Sequence, residues 1–392
     1  MKNYKYLIIG AGMTAAAAAH GIREIDQQGS IGMIGLEIDP PYNRPPLTKG
    51  LWKGKPLDSI WRKTEEPQVQ LHLGRKIVSI DADSLTAQDD QGSLYHGEKL
   101  LLATGGTPRR LPFGGDQIIY YRTLADYHRL VKMSAADQTF AVIGGGFIGS
   151  EIAAALAMNG KKVTMVFPED GIGAAVYPHD LSQFITEFFR KKGVEIWSGE
   201  LPVDVNVSQG KNLLKTKNGK ELLVDGVVAG IGIQPNLELA KAVGLQTGNG
   251  VVVDETLVTS HPGIYSAGDV AEFFNPALNK RMRVEHADNA DSMGRQAGRN
   301  MAGASEPYHH LPFFYSDLFE LGYEAVGELN ARMEIRTDWE QPYQKGILYY
   351  LMDERVRGVL LWNVWDKVPV ARKLISDSRP LEPEVMRELL GG

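Results

Sequence analysis

The 392-residue sequence contains no cysteine. That absence excludes structural disulfides, thiolate metal sites, cysteine-ligated iron–sulfur clusters and any mechanism built on a redox-active thiol. Redox work in such a chain has to be carried by a bound cofactor. Excess charge is lacking too: 42 Lys and Arg stand against 48 Asp and Glu, a net charge of −6, so nothing in the composition attracts nucleic acid or an anionic lipid surface as a whole. No segment beyond the N-terminus reaches the roughly 18 consecutive apolar residues of a membrane helix. At the N-terminus, Lys2 and Lys5 precede an uncharged stretch and an alanine tract that imitate a secretory signal. Gly10 and Gly12 interrupt that stretch, and a strand, a glycine turn and an alanine-rich helix account for it better. A cytoplasmic protein is therefore expected. Apolar residues at 43% and charged residues at 23% are ordinary for a folded chain, and the length exceeds what one core usually spans, so two or three domains are expected.

Glycine, at 43 residues, is abundant, and its placement is informative. Tyr6 to Ile9 is a short apolar run followed by Gly10-Ala11-Gly12-Met13-Thr14-Ala15 and a tract that favours helix. Phe140 to Ile143 is a second such run, followed by Gly144-Gly145-Gly146-Phe147-Ile148-Gly149 and the helical Ser150 to Met158. One G-x-G-x-x-G match means little, because chance supplies roughly half an occurrence at this glycine content. Two matches, each with a strand before and a helix after, meet the physical need of a dinucleotide site. The first glycine permits the turn, the second lets the backbone approach a pyrophosphate, and the third, which Ala15 can replace, lets helix and strand pack closely. Two nucleotides in one chain imply electron transfer between them.

An acid about 20 residues beyond each turn should bind a ribose. Glu169 follows the strand Val163 to Phe167 at that distance from Gly149, and a carboxylate there accepts a 2′-hydroxyl and repels a 2′-phosphate, which favours NADH over NADPH. For the first turn the candidate is Glu37, later than the ideal spacing. Near the third glycine site, Ile264 and Tyr265 lead into Ala267-Gly268-Asp269, a strand that ends at an acid. From about Phe313 the pattern changes to period-two runs, Gly346 to Met352 and Val356 to Trp362, which read as an antiparallel sheet ending in a helix near Pro383 to Leu390.

With these motifs in view the chain resembles the FAD-dependent ferredoxin and putidaredoxin reductase family of pyridine nucleotide oxidoreductases, its apoptosis-inducing factor branch above all. The stretches that carry the resemblance are Pro41 to Lys49, Ala103 to Arg109, Gly144 to Glu151, Ala267-Gly268-Asp269, Arg283-Val284-Glu285-His286 and Gly358 to Lys373. The resemblance implies an α/β fold of two Rossmann-like domains, the NADH domain (113–232) inserted in the FAD domain (1–112 and 233–306), and an α+β C-terminal domain (307–392). It implies FAD at Gly10, Gly12, Thr14 and Ala15, with Glu37, Arg44, Ile77, Arg122 and Asp269 near it. It implies NADH at Gly145, Phe147, Ile148, Gly149, Glu169 and Gly232, with Glu324 on the nicotinamide side and Phe147 covering the flavin until nicotinamide displaces it. Lys49 and Glu151 match the family's ion pair beside flavin N5 and are the expected catalytic residues, and Glu285 and His286 are expected to contact nucleotide and flavin at the mouth of a helix reaching Met301.

Hydride then passes from nicotinamide to flavin across roughly 3.5 Å, and a cation near the isoalloxazine stabilises the electron-rich product. The expected activity is an FAD-dependent NADH oxidoreductase delivering electrons to a ferredoxin-type iron–sulfur protein, a quinone or oxygen, with no metal of its own. Arg109, Arg110, Arg281, Arg283, Lys367, Arg372 and Lys373 are candidates for docking an acidic carrier. The alternative is a redox sensor whose long-lived reduced-flavin·NAD⁺ complex controls dimerisation or partner binding, and a homodimer fits either. Departures from the branch are Leu36 beside Glu37 where it has an acid, Ala175 for a lysine near the NADH ribose, Tyr315 for the tryptophan packed near the flavin, and the lack of the branch's mitochondrial targeting region and C-terminal insertion.

Overall fold

A computed structural model describes residues 1–136 and 138–377. The helix expected near Pro383 to Leu390 lies outside them. The described chain divides into two compact units, one made of Met1–Arg44, Leu57–Thr107 and Gln234–Phe313, the other of Pro45–Pro56, Pro108–Ile233 and the chain from Phe314 onward.

The first unit is built on a seven-stranded sheet. Val69–His72, Ile31–Ile34, Lys2–Ile9 and Leu94–Leu102 lie parallel in that order, and Ile264–Ser266 adds to the far side of Leu94–Leu102. The signal-like N-terminus is thus a central strand, and the alanine tract is the helix Met13–Ile25 behind it. Ala15, Ala16, Ala18 and Ala19 are fully buried, because small side chains let this helix press against the helix Ala287–Met301. A Cβ on Gly294 would stand 2.4 Å from the Thr14 carbonyl oxygen, and one on Gly298 2.0 Å from that of Ala18. Tyr6, Ile8, Ile22, Leu101 and Met293 fill the space between sheet and helices.

The second unit holds a five-stranded parallel sheet in the order Glu195–Ser198, Lys162–Phe167, Thr139–Ile143, Gly226–Ala229, Ile118–Tyr120. A separate antiparallel sheet orders Phe313–Leu318, Leu321–Gly327, Arg355–Trp362, Lys345–Met352 and Glu334–Gln341. Both period-two runs are therefore strands, and the helix Val368–Ser376 follows. The segment Pro45–Pro56 belongs to this unit although its flanks belong to the other. The mixed α/β fold is the one the motifs implied. Among the described residues no helix is long and apolar enough to cross a membrane.

Candidate functional site

The expected site residues form two groups, one in each unit. In the first unit Gly10 has φ +117°, and a Cβ there would stand 2.1 Å from the carbonyl oxygen of Ala103, so only glycine fits. Gly12 is the opposite case: it precedes the helix Met13–Ile25 with φ −97°, and a Cβ on it would meet nothing within 4 Å. That helix has neither a side-chain cap nor an acid in its first turn, so its positive end is left to something other than the chain's own side chains. Thr14 faces the Gly268–Val270 turn that carries Asp269, its Oγ1 2.2 Å from where a Cβ of Gly268 would lie.

Asp269 lies within electrostatic reach of Arg44 and of His286. His286 is the N-cap residue of the helix Ala287–Met301, the helix expected to reach Met301 with Glu285 and His286 at its mouth. Burial pushes its imidazole down to about 4 against the opposing pull of Asp269 and Asp288, so it is neutral at pH 7. Glu285 pairs with Arg283 at 2.7 Å. The Arg283 side chain is only 8% exposed, and a second contact ties it to the backbone oxygen of Asp269 at 3.0 Å, which removes it from the basic surface expected to dock a carrier. Its Nε is buried with no hydrogen-bond partner. The Glu37 carboxylate, offered by the sequence for a ribose, accepts from Arg44 and from the Tyr42 hydroxyl, each at 2.5 Å. Ile77 begins the strand Ile77–Asp81 and is buried.

The second unit repeats the geometry. Gly144 has φ +110° and its Cβ would stand 2.5 Å from the Gly230 carbonyl oxygen. Gly146 precedes the uncapped helix Phe147–Met158 and faces open space, while a Cβ on Gly149 would stand 2.1 Å from the Gly144 carbonyl oxygen. Gly145 packs under the Phe167 ring. Phe147 packs on Phe314 with ring centroids 5.0 Å apart, and Ile148 is 40% exposed. Glu169 is exposed beyond the strand Lys162–Phe167, its backbone oxygen accepting from Gly199. Gly232 accepts from the Arg109 amide, and Arg122 donates its amide to Asp126. Ala175 has only its backbone in a described contact, accepting from the Ala331 amide.

Lys49 and Glu151 meet in this unit at 2.7 Å, with side chains 11% and 4% exposed. The helix begins at Phe147, three residues before the helical stretch read from Ser150, so Glu151 stands beyond its first turn, which contains no acid. The depth is what buries it. Thr48 Oγ1 donates to one carboxylate oxygen at 2.5 Å, and Ser316 Oγ donates at 2.6 Å to the oxygen that Lys49 holds. The Lys49 ammonium lies 5.0 Å from the centre of the Tyr315 ring, so the tyrosine that replaces a tryptophan keeps an aromatic face on the cation. Glu324 is half-buried on the strand Leu321–Gly327, its Oε2 without a partner, and burial, with Asp366 close by, raises its carboxyl.

Two observations fit these units to bound dinucleotides. The glycine at each helix start leaves open space where a Cβ would be, with no side chain capping the helix. Among the buried polar atoms without a partner are Arg283 Nε in one unit and Glu324 Oε2 in the other, each on a residue of the expected site region. Tyr42, Thr48 and Ser316 were not expected as site residues, yet each holds a carboxylate that was. For Thr48 and Ser316 the available signal was position, since Thr48 precedes Lys49 and Ser316 follows Tyr315.

The pyridine nucleotide-disulphide oxidoreductase family profile matches residues 4–294, and that of the apoptosis-inducing factor C-terminal domain matches 297–339 and 330–377. The chain is 34% identical to apoptosis-inducing factor 1, mitochondrial, of Dictyostelium discoideum, across 97% of this chain and 80% of that one. It is 31% identical to putidaredoxin reductase of Pseudomonas putida, across 98% and 94%. A crystal structure of a covalent putidaredoxin reductase–putidaredoxin complex superimposes with a TM-score of 0.91 at 29% identity, covering 99% of this chain and 98% of that one. With two glycine turns of dinucleotide type and no cysteine to carry disulphide chemistry, the chain belongs to the pyridine nucleotide-disulphide oxidoreductase family as an FAD-dependent NAD(P)H oxidoreductase, its cofactors FAD and NAD(H).

Proposed function

We propose that the protein oxidises NADH and passes the electrons through FAD to a small iron–sulfur protein. When bound, FAD supplies the chemistry the chain lacks, taking two electrons as a hydride and releasing them singly. The residues bind, orient and set charge. The uncapped helix at Gly12 and the Thr14–Asp269 turn hold FAD in the first unit, with Arg44 kept in place by Glu37 and Tyr42. The uncapped helix at Gly146 holds the NADH pyrophosphate, and Glu169 accepts the ribose hydroxyls, giving NADH its advantage over NADPH. Glu324, whose carboxyl burial keeps toward its neutral form, serves the nicotinamide amide. Lys49 presents the positive charge that favours electron arrival at the flavin ring, and Glu151 fixes where that charge stands.

The observation that carries this reading is the buried Lys49–Glu151 pair, held by Thr48 and Ser316 in a chain without a thiol. A protein electron acceptor is supported by the 31% identity to a putidaredoxin reductase over almost the whole chain. The test is anaerobic mixing of the FAD-loaded protein with NADH, followed by reoxidation with a [2Fe–2S] ferredoxin, a quinone or oxygen in turn. Fast bleaching by NADH and fastest recovery with the iron–sulfur protein are expected. Slow recovery with every acceptor and a persistent long-wavelength band would overturn the reductase reading in favour of an NADH-responsive sensor.

A further inference from the structure

The segment from Gly171 to Tyr177 lies against the second glycine turn. The Gly173 amide donates to the Gly145 carbonyl at 2.8 Å. The segment's shape is fixed from within, since Gly173 has φ +66°, a Cβ on it would stand 2.1 Å from the Tyr177 ring, and the Val176 and Tyr177 amides both return to its carbonyl, at 2.8 and 2.9 Å. Tyr177 is buried, and its hydroxyl donates to that of Tyr323, on the strand Leu321–Gly327, at 2.9 Å. Ala175 stands inside this rigid piece and brings no charge to it.

A second loop of the same unit arrives at that alanine. The Ala331 amide donates to the Ala175 carbonyl at 3.1 Å. Ala331 lies between the strands Leu321–Gly327 and Glu334–Gln341, in a connection clamped at its base: the Glu328 amide donates to the Arg357 carbonyl at 2.8 Å, and the Arg357 guanidinium donates to the Glu328 carboxylate at 2.7 Å. At its tip the Met333 amide donates to the Asn330 carbonyl, and the Arg332 amide to the Asn330 side chain, each at 3.0 Å. The backbone of Arg332 is thereby held one residue from the contact with Ala175. Its side chain is exposed and, among the described residues, forms no ion pair, whereas Arg336, Lys345 and Arg357 are paired with Glu334, Glu340 and Glu328. Asp170, on the segment's near side, pairs with His179 instead. The helix Phe147–Met158 offers the glycine turn its N–H groups and the positive end of its dipole, but no cation stands in its first turn, Phe147-Ile148-Gly149-Ser150. A guanidinium presents five donors in a planar fork that matches phosphate oxygens.

We propose that Arg332 binds the phosphates of NADH, a cation carried to the second glycine turn by the loop of the antiparallel sheet and standing in for the charge that Ala175 lacks. The inference rests on the reading of that turn as the NADH site. Two backbone hydrogen bonds, Gly173 to Gly145 and Ala331 to Ala175, set the place of the guanidinium, and its freedom from neighbouring carboxylates leaves its donors to the nucleotide.

The test is calorimetric titration of the FAD-loaded protein with ADP-ribose, which carries the pyrophosphate and both riboses of NADH but no nicotinamide, so that binding is read without flavin reduction. The Arg332 side chain is exposed, and Arg332→Ala should fold as the unchanged protein does. It should bind ADP-ribose about tenfold more weakly at low ionic strength, and the deficit should shrink as salt is raised, because an exposed charge is screened. Adding Ala175→Lys to Arg332→Ala should recover most of the lost affinity, by returning a cation to the same place from the other side of the Ala331–Ala175 hydrogen bond. A residue that only shaped its loop would not be rescued in this way. Equal affinity in Arg332→Ala and the unchanged protein would overturn the proposal and leave the turn as the NADH site. So would a deficit that neither salt nor Ala175→Lys alters. Failure of the unchanged protein to bind ADP-ribose would overturn the NADH reading itself, and this inference with it.

Discussion

Replacing Lys49 with methionine keeps the length and apolar stem of the side chain and removes only the charge. The structure puts a size on the loss. At 2.7 Å the attraction between the two charges is about 6 kcal/mol at an effective dielectric of 20, and most of it offsets the cost of taking both groups out of water. What remains visible is the asymmetry: removing one partner of a buried pair costs about 3–5 kcal/mol, because the other charge stays buried and uncompensated. Lys49→Met should therefore destabilise the second unit by that amount, softened by the Thr48 and Ser316 hydroxyls that still donate to Glu151. Adding Glu151→Gln should restore most of the stability, since no lone charge then remains. Urea unfolding followed by tryptophan fluorescence reads this directly, because every tryptophan except Trp61 lies in the second unit. The flavin reduction rate should behave differently, falling about a hundredfold in Lys49→Met and staying low in the double variant. A single variant that loses less than about 1 kcal/mol would show that the pair is a surface-type contact. Recovery of the rate together with the stability would refute the idea that the lysine charge, rather than the fold around it, serves the reaction.

Gly10→Ala and Gly12→Ala should separate folding from cofactor binding: the first forces a Cβ to 2.1 Å from a backbone oxygen and should prevent a stable first unit, whereas the second meets open space and should fold with near-native circular dichroism yet bind FAD at least about tenfold more weakly by fluorescence quenching. Equal FAD affinity in Gly12→Ala would remove the pyrophosphate from that turn. Glu169→Ala should lower the ratio of NADH to NADPH reduction rates, mainly by improving NADPH; an unchanged ratio would dismiss its ribose role. The His286 imidazole, held near 4 when folded and free to protonate near 6.5 when unfolded, makes the unfolded chain the better proton acceptor below pH 6.5. Stability should fall by about 2 kcal/mol between pH 7 and pH 5 on that account, and His286→Gln should flatten this part of the pH profile in chemical denaturation; an identical acid slope in the variant would refute the assignment.

What the sequence disclosed and what it withheld divide along a physical line. Each glycine turn is a contiguous strand, turn and helix, so Gly10 to Ala15 and Gly144 to Gly149 carry their own context and were legible from spacing alone. The Lys49–Glu151 pair joins residues 102 apart in sequence, and no periodicity points from one to the other. It was reached through resemblance, and even then its depth in the helix and its hydroxyl partners were not. Glu37 is the instructive middle case. Its distance from the first turn suggested a ribose ligand, but its neighbours Leu36 and Ile38 are 67% and 81% exposed, which turns the intervening carboxylate inward, onto Arg44 and Tyr42. The alternation of exposed and inward residues from 36 to 38, read together with the tyrosine and arginine a few residues on, would have favoured that inward pairing. A carboxylate already shared between a guanidinium and a phenol retains lone pairs for a further donor, so the departure at Leu36 changes Glu37 from a simple ribose acceptor into a group that also fixes Arg44. The two tasks compete for the same two oxygens, and Tyr42→Phe, by releasing one of them, should strengthen FAD binding if the ribose uses it and weaken binding if the hold on Arg44 dominates.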